Sequence, residues 1–138
     1  MPKQQITRLQ LDTDVLLLFA LVSGEKQHRL SWALNRQMAI GLQQAVALGA
    51  PVSTPPHIIY RYEQYHECRS YVLFPAKGVS KWLARPYRNI DYLFAIGGRL
   101  SAHERQSIIA RLRGTHGILA AIPFETQHLA PQLRQMLA

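Results

Sequence analysis

Three side chains that bind transition metals lie near one another in the middle of the sequence. His66 and Cys68 are two residues apart, so they would share one face of an extended strand, and His57 lies across a predicted hairpin. A structural zinc ion takes four ligands, usually from closely spaced pairs such as Cys-x-x-Cys. This is the only cysteine of the chain, and no such pair is present. We therefore predict no metal site and no cofactor.

Acid/base catalysis needs paired titratable groups, and none of the eight carboxylates lies in a recognisable pair. Asp91 precedes an apolar strand, where we expect it to be a structural anchor that accepts a hydrogen bond from a loop or from Arg85 or Arg88. Gly97-Gly98 precedes a predicted helix, but the Gly-Lys-Ser/Thr of a phosphate-binding loop does not follow, and the chain has no Gly-x-Ser-x-Gly motif. We predict that the protein is not an enzyme.

A short basic segment combines cations with stacking rings. The whole chain has 16 Lys and Arg against 8 Asp and Glu, a net charge of +8, and arginine binds phosphate and carboxylate with two hydrogen bonds. Cations beside aromatic rings are typical of single-stranded RNA binding, so RNA or an acidic protein is the predicted partner. Net charge also serves solubility, and an arginine-rich composition also follows from a GC-rich genome. The candidate binding residues are Lys77, Lys81, Trp82, Arg85, Tyr87 and Arg88.

Trp32 is the remaining candidate binding residue. Leu30, Ala33, Leu34 and Met38 recur at helical spacing and define the buried stripe of a first helix. At about 100° per residue, Trp32 points away from Leu30 and Leu34. It therefore faces solvent, a covering loop of the same chain or a partner.

The order of elements predicts one α+β domain spanning residues 1–138. Apolar or β-branched runs indicate strands at 15–22, 57–62, 70–74, 90–96 and 117–122. Helical spacing indicates helices at 26–40 and 101–114, and Ser101 with Glu104 forms a capping box at the start of the second. Residues 41–56 and 76–89 are predicted surface connections.

This order is typical of a ferredoxin-like or ACT-like two-layer sandwich, with two helices on one face of a mostly antiparallel sheet of about five strands. The sheet has more apolar side chains than two helices need, which favours a homodimer. A single cysteine and the absence of an apolar run of about 20 residues predict a cytoplasmic protein without membrane contact. The apolar side chains in question are Phe19, Leu21, Tyr71, Leu73, Tyr92 and Phe94.

Two segments resemble a known family. Leu30-Ser31-Trp32-Ala33-Leu34-Asn35 and Ile90-Asp91-Tyr92-Leu93-Phe94, with a later strand that ends in Pro123 and Phe124, are similar to the IPExxxVDY family of small uncharacterised proteins of Bacteroidota. Ile90-Asp91-Tyr92 matches the second half of the name motif. Ala84-Arg85-Pro86 stands where the family has Ile-Pro-Glu, so no role of that glutamate carries over. The resemblance implies no activity.

These observations rank the functions. We predict a non-enzymatic binding or adaptor module that binds RNA or an acidic protein through the basic aromatic loop. An ACT-like regulatory domain that senses a small molecule is the first alternative, because the predicted fold is compatible with it. An enzyme of unknown type is the second.

Overall fold

A computed structural model describes residues 16–46, 58–66, 68–76 and 89–124. Within them, the chain forms six strands and two helices. The strands are β1 (Leu16–Ser23), β2 (Gln43–Val46), β3 (Ile58–Gln64), β4 (Arg69–Pro75), β5 (Tyr92–Gly97) and β6 (Ile118–Phe124). The helices are α1 (Gln27–Met38), between β1 and β2, and α2 (Ala102–Arg113), between β5 and β6.

The strands form one antiparallel sheet in the order β2-β3-β4-β5-β1-β6. The predicted α+β class is therefore confirmed, but the expected count of about five strands is too low. The additional strand is β2, inside the segment 41–56 that we predicted as a surface connection. Its sequence, Gln43-Gln44-Ala45-Val46, has no strand pattern, and its pairing with β3 explains its extended form.

Both helices pack on the same face of the sheet. Leu30 and Leu34 of α1 and Leu112 of α2 are fully buried in one apolar cluster with Phe19 and Phe94 of the two central strands. Helical spacing places these leucines toward the sheet, as the sequence predicted. The helix layer and the sheet therefore enclose one core between them.

The apolar side chains that favoured a homodimer lie inside this core. Phe19, Leu21, Tyr71, Leu73 and Phe94 belong to the cluster under the helices, and Tyr92 packs against its margin. The opposite face of the sheet is also buried within the chain at positions such as Leu18, Phe74 and Leu93. The apolar surplus therefore no longer argues for a partner sheet, and the homodimer stays a prediction.

A side-chain staple closes the connection from α1 to β2. The Asn35 side chain accepts a hydrogen bond from the Leu42 N–H at 2.7 Å and donates one to the Leu42 carbonyl at 3.2 Å. Ala39 ends the helix in the left-handed conformation, with its N–H bonded to the Asn35 carbonyl. The chain thus turns directly from the helix layer to the sheet.

Strand β6 lies at one edge of the described sheet and has an irregular register. Val22 pairs with Ala120 and Ser23 pairs with Ile118, so Leu119 is skipped and its side chain is 79% exposed. Pro123, opposite Phe19, has no N–H to donate. Within the described residues, no helix combines the length and apolar composition needed to cross a bilayer.

The predicted capping box is present at the start of α2. The Ser101 hydroxyl accepts a hydrogen bond from the Glu104 N–H at 3.1 Å, and the Glu104 carboxylate accepts one from the Ser101 N–H at 2.9 Å. We expect Ser101→Ala to lower the free energy of unfolding by about 1 kcal/mol, because a backbone donor loses its acceptor. Urea denaturation measures this loss. Ser101→Asn keeps an acceptor and should cost much less; equal losses in the two variants would contradict the role of the cap.

Candidate nucleic-acid interface

A groove of about 740 Å³ runs between the outer face of α1 and the loop that follows α2. One wall is a stripe of the helix, because its residues recur every three or four positions. The other wall consists of the C-terminal residue cap of α2 and the loop beyond it. The lining residues, hereafter the α1 groove, are Glu25, His28, Arg29, Trp32, Ala33, Arg36, Gln37, Gly114 and His116.

Trp32 is the dominant aromatic surface of the α1 groove. Its side chain is 61% exposed, whereas Leu30 and Leu34 on the opposite side of the same helix are fully buried. Arg36, one turn further along, holds its guanidinium carbon 4.8 Å from the centre of the Trp32 ring. This distance is that of a cation–π contact. The helix therefore presents a flat ring and a positive charge side by side.

The charges of the α1 groove are mainly positive. Arg29 and Arg36 are cations, His28 and His116 are two further nitrogen donors, and Glu25 is the one carboxylate among the lining residues. Two arginines against one glutamate leave an excess of one positive charge before either histidine is protonated. The groove is therefore suited to an anionic ligand that also has an aromatic or flat part.

Hydrogen bonds from β5 fix the first wall of the groove. The Tyr92 hydroxyl donates to the Glu25 carbonyl at 2.6 Å, and the Ser23 hydroxyl accepts from the Glu25 N–H at 3.1 Å. Burial, together with the nearby carboxylates of Asp91 and Glu25, raises the pKa of Tyr92, so its hydroxyl keeps the proton it donates. The turn that precedes α1 is thereby held against the sheet.

Asp91 also holds this turn. Its carboxylate accepts a hydrogen bond from the Ser23 N–H at 2.9 Å, and its own N–H donates to the Leu21 carbonyl at 2.9 Å. The anchor that we predicted from the sequence thus contacts the end of β1. The two arginines proposed as its partners, Arg85 and Arg88, lie outside the described residues.

The loop between α2 and β6 forms the second wall and approaches Glu25 closely. Thr115 is buried, and its hydroxyl donates to the Arg111 carbonyl at 2.8 Å. Gly117 has a φ of +94°, and a Cβ at this position would lie 2.6 Å from the Glu25 side chain. Only glycine fits this conformation and this approach. The loop thereby places His116 on the groove.

A second cavity of about 350 Å³ lies where the C-terminal end of α1, the β3–β4 hairpin and α2 meet. Its lining, hereafter the α2 cavity, shares no residue with the α1 groove. The residues are Met38, Ala39, Ile40, Gln64, Arg69, Tyr71, His103, Glu104, Ser107, Ile108 and Arg111.

An ion pair between Arg69 and Glu104 crosses the α2 cavity. Burial alone would lower the pKa of Arg69, but its hydrogen bonds with Glu104 and Tyr71 raise it, so the guanidinium stays charged. The hydrogen bond from the Ser101 backbone, and then the one from Arg69, lower the pKa of the Glu104 carboxyl. The same carboxylate therefore caps α2 and ties it to β4.

The lowered pKa of Glu104 predicts a pH dependence of stability. A carboxyl with a lower pKa in the folded chain stabilises the fold above its unfolded pKa, about 4.5, and loses this effect as the pH falls through the folded value. We expect Glu104→Gln to melt at a lower temperature than the wild-type protein at pH 7. The gap between the two Tm values should narrow as the pH falls below 4.5. A constant gap between about pH 7 and pH 3 would contradict this account.

In comparisons with known proteins, no family model, no curated protein and no solved structure gives a significant match to the chain. The resemblance to the IPExxxVDY family thus stays a prediction. The case for a function rests on the α1 groove and the α2 cavity.

The structure describes only one of the predicted binding residues. Trp32 lies in the α1 groove, whereas the basic aromatic loop falls outside the described residues, namely Lys77, Lys81, Trp82, Arg85, Tyr87 and Arg88. His66 and Cys68 are exposed beside the β3–β4 turn, and His57 is not described. Among the described residues, no group of three or more His, Cys, Asp or Glu side chains is placed to hold a metal ion.

Sequence reasoning missed the charged neighbours of Trp32. Arg36 lies four positions after Trp32 and Arg29 three positions before it, so helical spacing places both beside the ring. That signal was present in the sequence. The contribution of His116 was not, because the loop after α2 reaches α1 only through tertiary packing.

Proposed function

We propose that the protein is a non-enzymatic binding module for single-stranded RNA and that the α1 groove is its binding surface. The observation that carries the proposal is the exposed Trp32 ring with the Arg36 guanidinium beside it. In single-stranded RNA binding, bases stack on aromatic rings while cations contact the phosphates. Trp32 would take a base, and Arg29 and Arg36 would take the flanking phosphates.

The composition of the α1 groove favours RNA over an acidic protein as the partner. The core of a protein interface is apolar and depleted of charge. Here Trp32 and Ala33 are the apolar side chains among the nine lining residues, and the others are mostly charged or polar. A ligand with flat bases and regularly spaced negative charges fits such a lining better than a folded protein surface.

The net charge supports the same partner. The chain has an excess of eight positive charges, and the segment 77–88 adds two lysines, two arginines, a tryptophan and a tyrosine. Such a charge attracts nucleic acid over the range of a Debye length. We propose that this segment extends the contact beyond the α1 groove, and that the protein acts in the cytoplasm without membrane contact.

The proposal contains no catalytic step. Glu25 is the one carboxylate in the lining of the α1 groove, and acid/base chemistry works with a pair of titratable groups at hydrogen-bond reach. His28 and His116 are assigned to phosphate contacts rather than to proton transfer. An enzyme of unknown type stays the last alternative.

Tryptophan fluorescence tests the proposal directly. The chain has two tryptophans, so Trp82→Phe leaves Trp32 as the single reporter. We expect a single-stranded oligouridine to quench this emission, and its affinity to fall severalfold between about 50 mM and 200 mM salt. A polyglutamate peptide is the competitor that represents an acidic protein. No quenching at low salt, or stronger binding of the peptide than of the RNA, would overturn the proposal.

A small-molecule-sensing domain is the second candidate, and two observations favour it. The strands β6-β1-β5-β4 are adjacent in that order, with α1 after β1 and α2 between β5 and β6. We propose that this part of the sheet is the ferredoxin-like or ACT-like unit and that β2 and β3 extend it at one side. The α2 cavity, small and partly apolar, is the second observation.

A further inference from the structure

The α2 cavity has the character of a small-ligand site. Tyr71, Met38 and Ile108 are buried side chains in its lining, and Ile40 is half-buried. They provide an apolar floor, while Gln64 and Ser107 add groups that form hydrogen bonds. An apolar cavity of about 350 Å³ with a few convergent polar groups is typical of sites for small molecules, which begin at about 300 Å³.

The charges around this floor alternate in sign. Arg69 is paired with Glu104, and Arg111 follows Glu104 by seven residues, two turns along the same face of α2. Side chains of a helix lean toward its N-terminus, so Arg111 leans toward Ser107 and Glu104. The lining therefore presents a carboxylate between two guanidinium groups, with His103 at its outer end.

This alternation selects the charge type of the ligand. The charge of Arg69 is balanced by Glu104, so a multivalent anion such as phosphate would be repelled by the carboxylate that it met beside Arg69. A zwitterion meets no such repulsion, because its positive group pairs with Glu104 while its negative group pairs with Arg111. Each Glu104 oxygen has a second lone pair for a further donor.

We propose that the α2 cavity binds a free α-amino acid with an apolar side chain. The ligand carboxylate would pair with Arg111, its ammonium group with Glu104, and its side chain would cover Met38, Ile40 and Ile108. This inference rests on the second candidate function, the small-molecule-sensing domain. It is independent of RNA binding, because the α1 groove and the α2 cavity have no residue in common.

Thermal unfolding with three matched probes tests the charge type. L-leucine has both charges, 4-methylpentanoate lacks the ammonium group, and 3-methylbutylamine lacks the carboxylate. We expect L-leucine or L-methionine to raise Tm progressively with concentration, as binding to the folded state requires, and the two singly charged probes to leave it unchanged. No rise with either amino acid up to millimolar concentration, or an equal rise with 4-methylpentanoate, would overturn the proposal.

Arg111→Gln is the diagnostic variant, and Arg113→Gln is its control. Both arginines are exposed and lie in the last turn of α2, but only Arg111 lines the cavity. We expect Arg111→Gln to weaken amino-acid binding at least tenfold in equilibrium dialysis and Arg113→Gln to leave it unchanged. Equal binding by the two variants would overturn the assignment of Arg111. Since the RNA titration needs no amino acid, its failure would leave this result standing.

Discussion

Trp32→Ala is expected to weaken the binding of single-stranded RNA about 5- to 150-fold, which corresponds to about 1–3 kcal/mol for the loss of one base stacked on an aromatic ring. The fold should be unaffected, because the indole is 61% exposed and lies on the side of α1 away from the core. The loss should appear for every base sequence, since each base has a π-face. Fluorescence anisotropy with a labelled oligonucleotide measures it.

Two further variants locate the effect. Trp32→Tyr keeps an aromatic ring and should retain most of the affinity, whereas Arg36→Gln keeps the ring and removes one cation. We expect Arg36→Gln to weaken binding uniformly and to lower the slope of log affinity against log salt by about one. If Trp32→Ala bound RNA as well as the wild-type protein while Trp82→Ala did not, the binding surface would be the segment 77–88 rather than the α1 groove.

Phe94→Ala is expected to lower the free energy of unfolding by about 3–5 kcal/mol. Phe94 is fully buried on β5, directly between Phe19 of β1 and Leu73 of β4. Its ring lies 6.3 Å from that of Tyr71, centre to centre, in a stacked arrangement. Truncation would remove this contact and leave a cavity between the sheet and both helices. Urea denaturation followed by circular dichroism measures the loss.

The matched control for Phe94→Ala is a large apolar residue that is already in water. Leu119 is 79% exposed, so Leu119→Ala should change the free energy of unfolding by less than about 0.5 kcal/mol. Phe94→Leu keeps most of the buried volume and should fall between the two. A loss below about 1 kcal/mol for Phe94→Ala would contradict the position of Phe94 in the core.

The sequence predicted the elements whose local signals agree with their packing. The continuous apolar run from Leu16 to Val22 indicated a central strand, and β1 lies between β5 and β6. The Ser101 and Glu104 pair located the first residue of α2. In these cases the pattern of one segment contains the information, because capping and burial act on neighbouring residues.

Features that depend on distant residues escaped prediction. Strand β2 has two exposed glutamines and exists because β3 offers it a pairing partner. The α1 groove needs His116 to approach α1 from a loop more than 80 positions away in sequence. Trp32 could be placed on the outer side of its helix, but the residues that surround it could be completed only from the packing of α1 against α2.

The irregular register of β6 has a consequence for the behaviour of the protein in concentrated solution. Its seven residues, Ile118–Phe124, contain no charge, and uncharged strands of this length readily recruit copies of themselves into fibres. The skipped Leu119 bends the strand, and Pro123 interrupts its row of N–H donors. These two residues act as built-in gatekeepers, so an apolar strand that the core requires does not become a seed for amyloid-like growth.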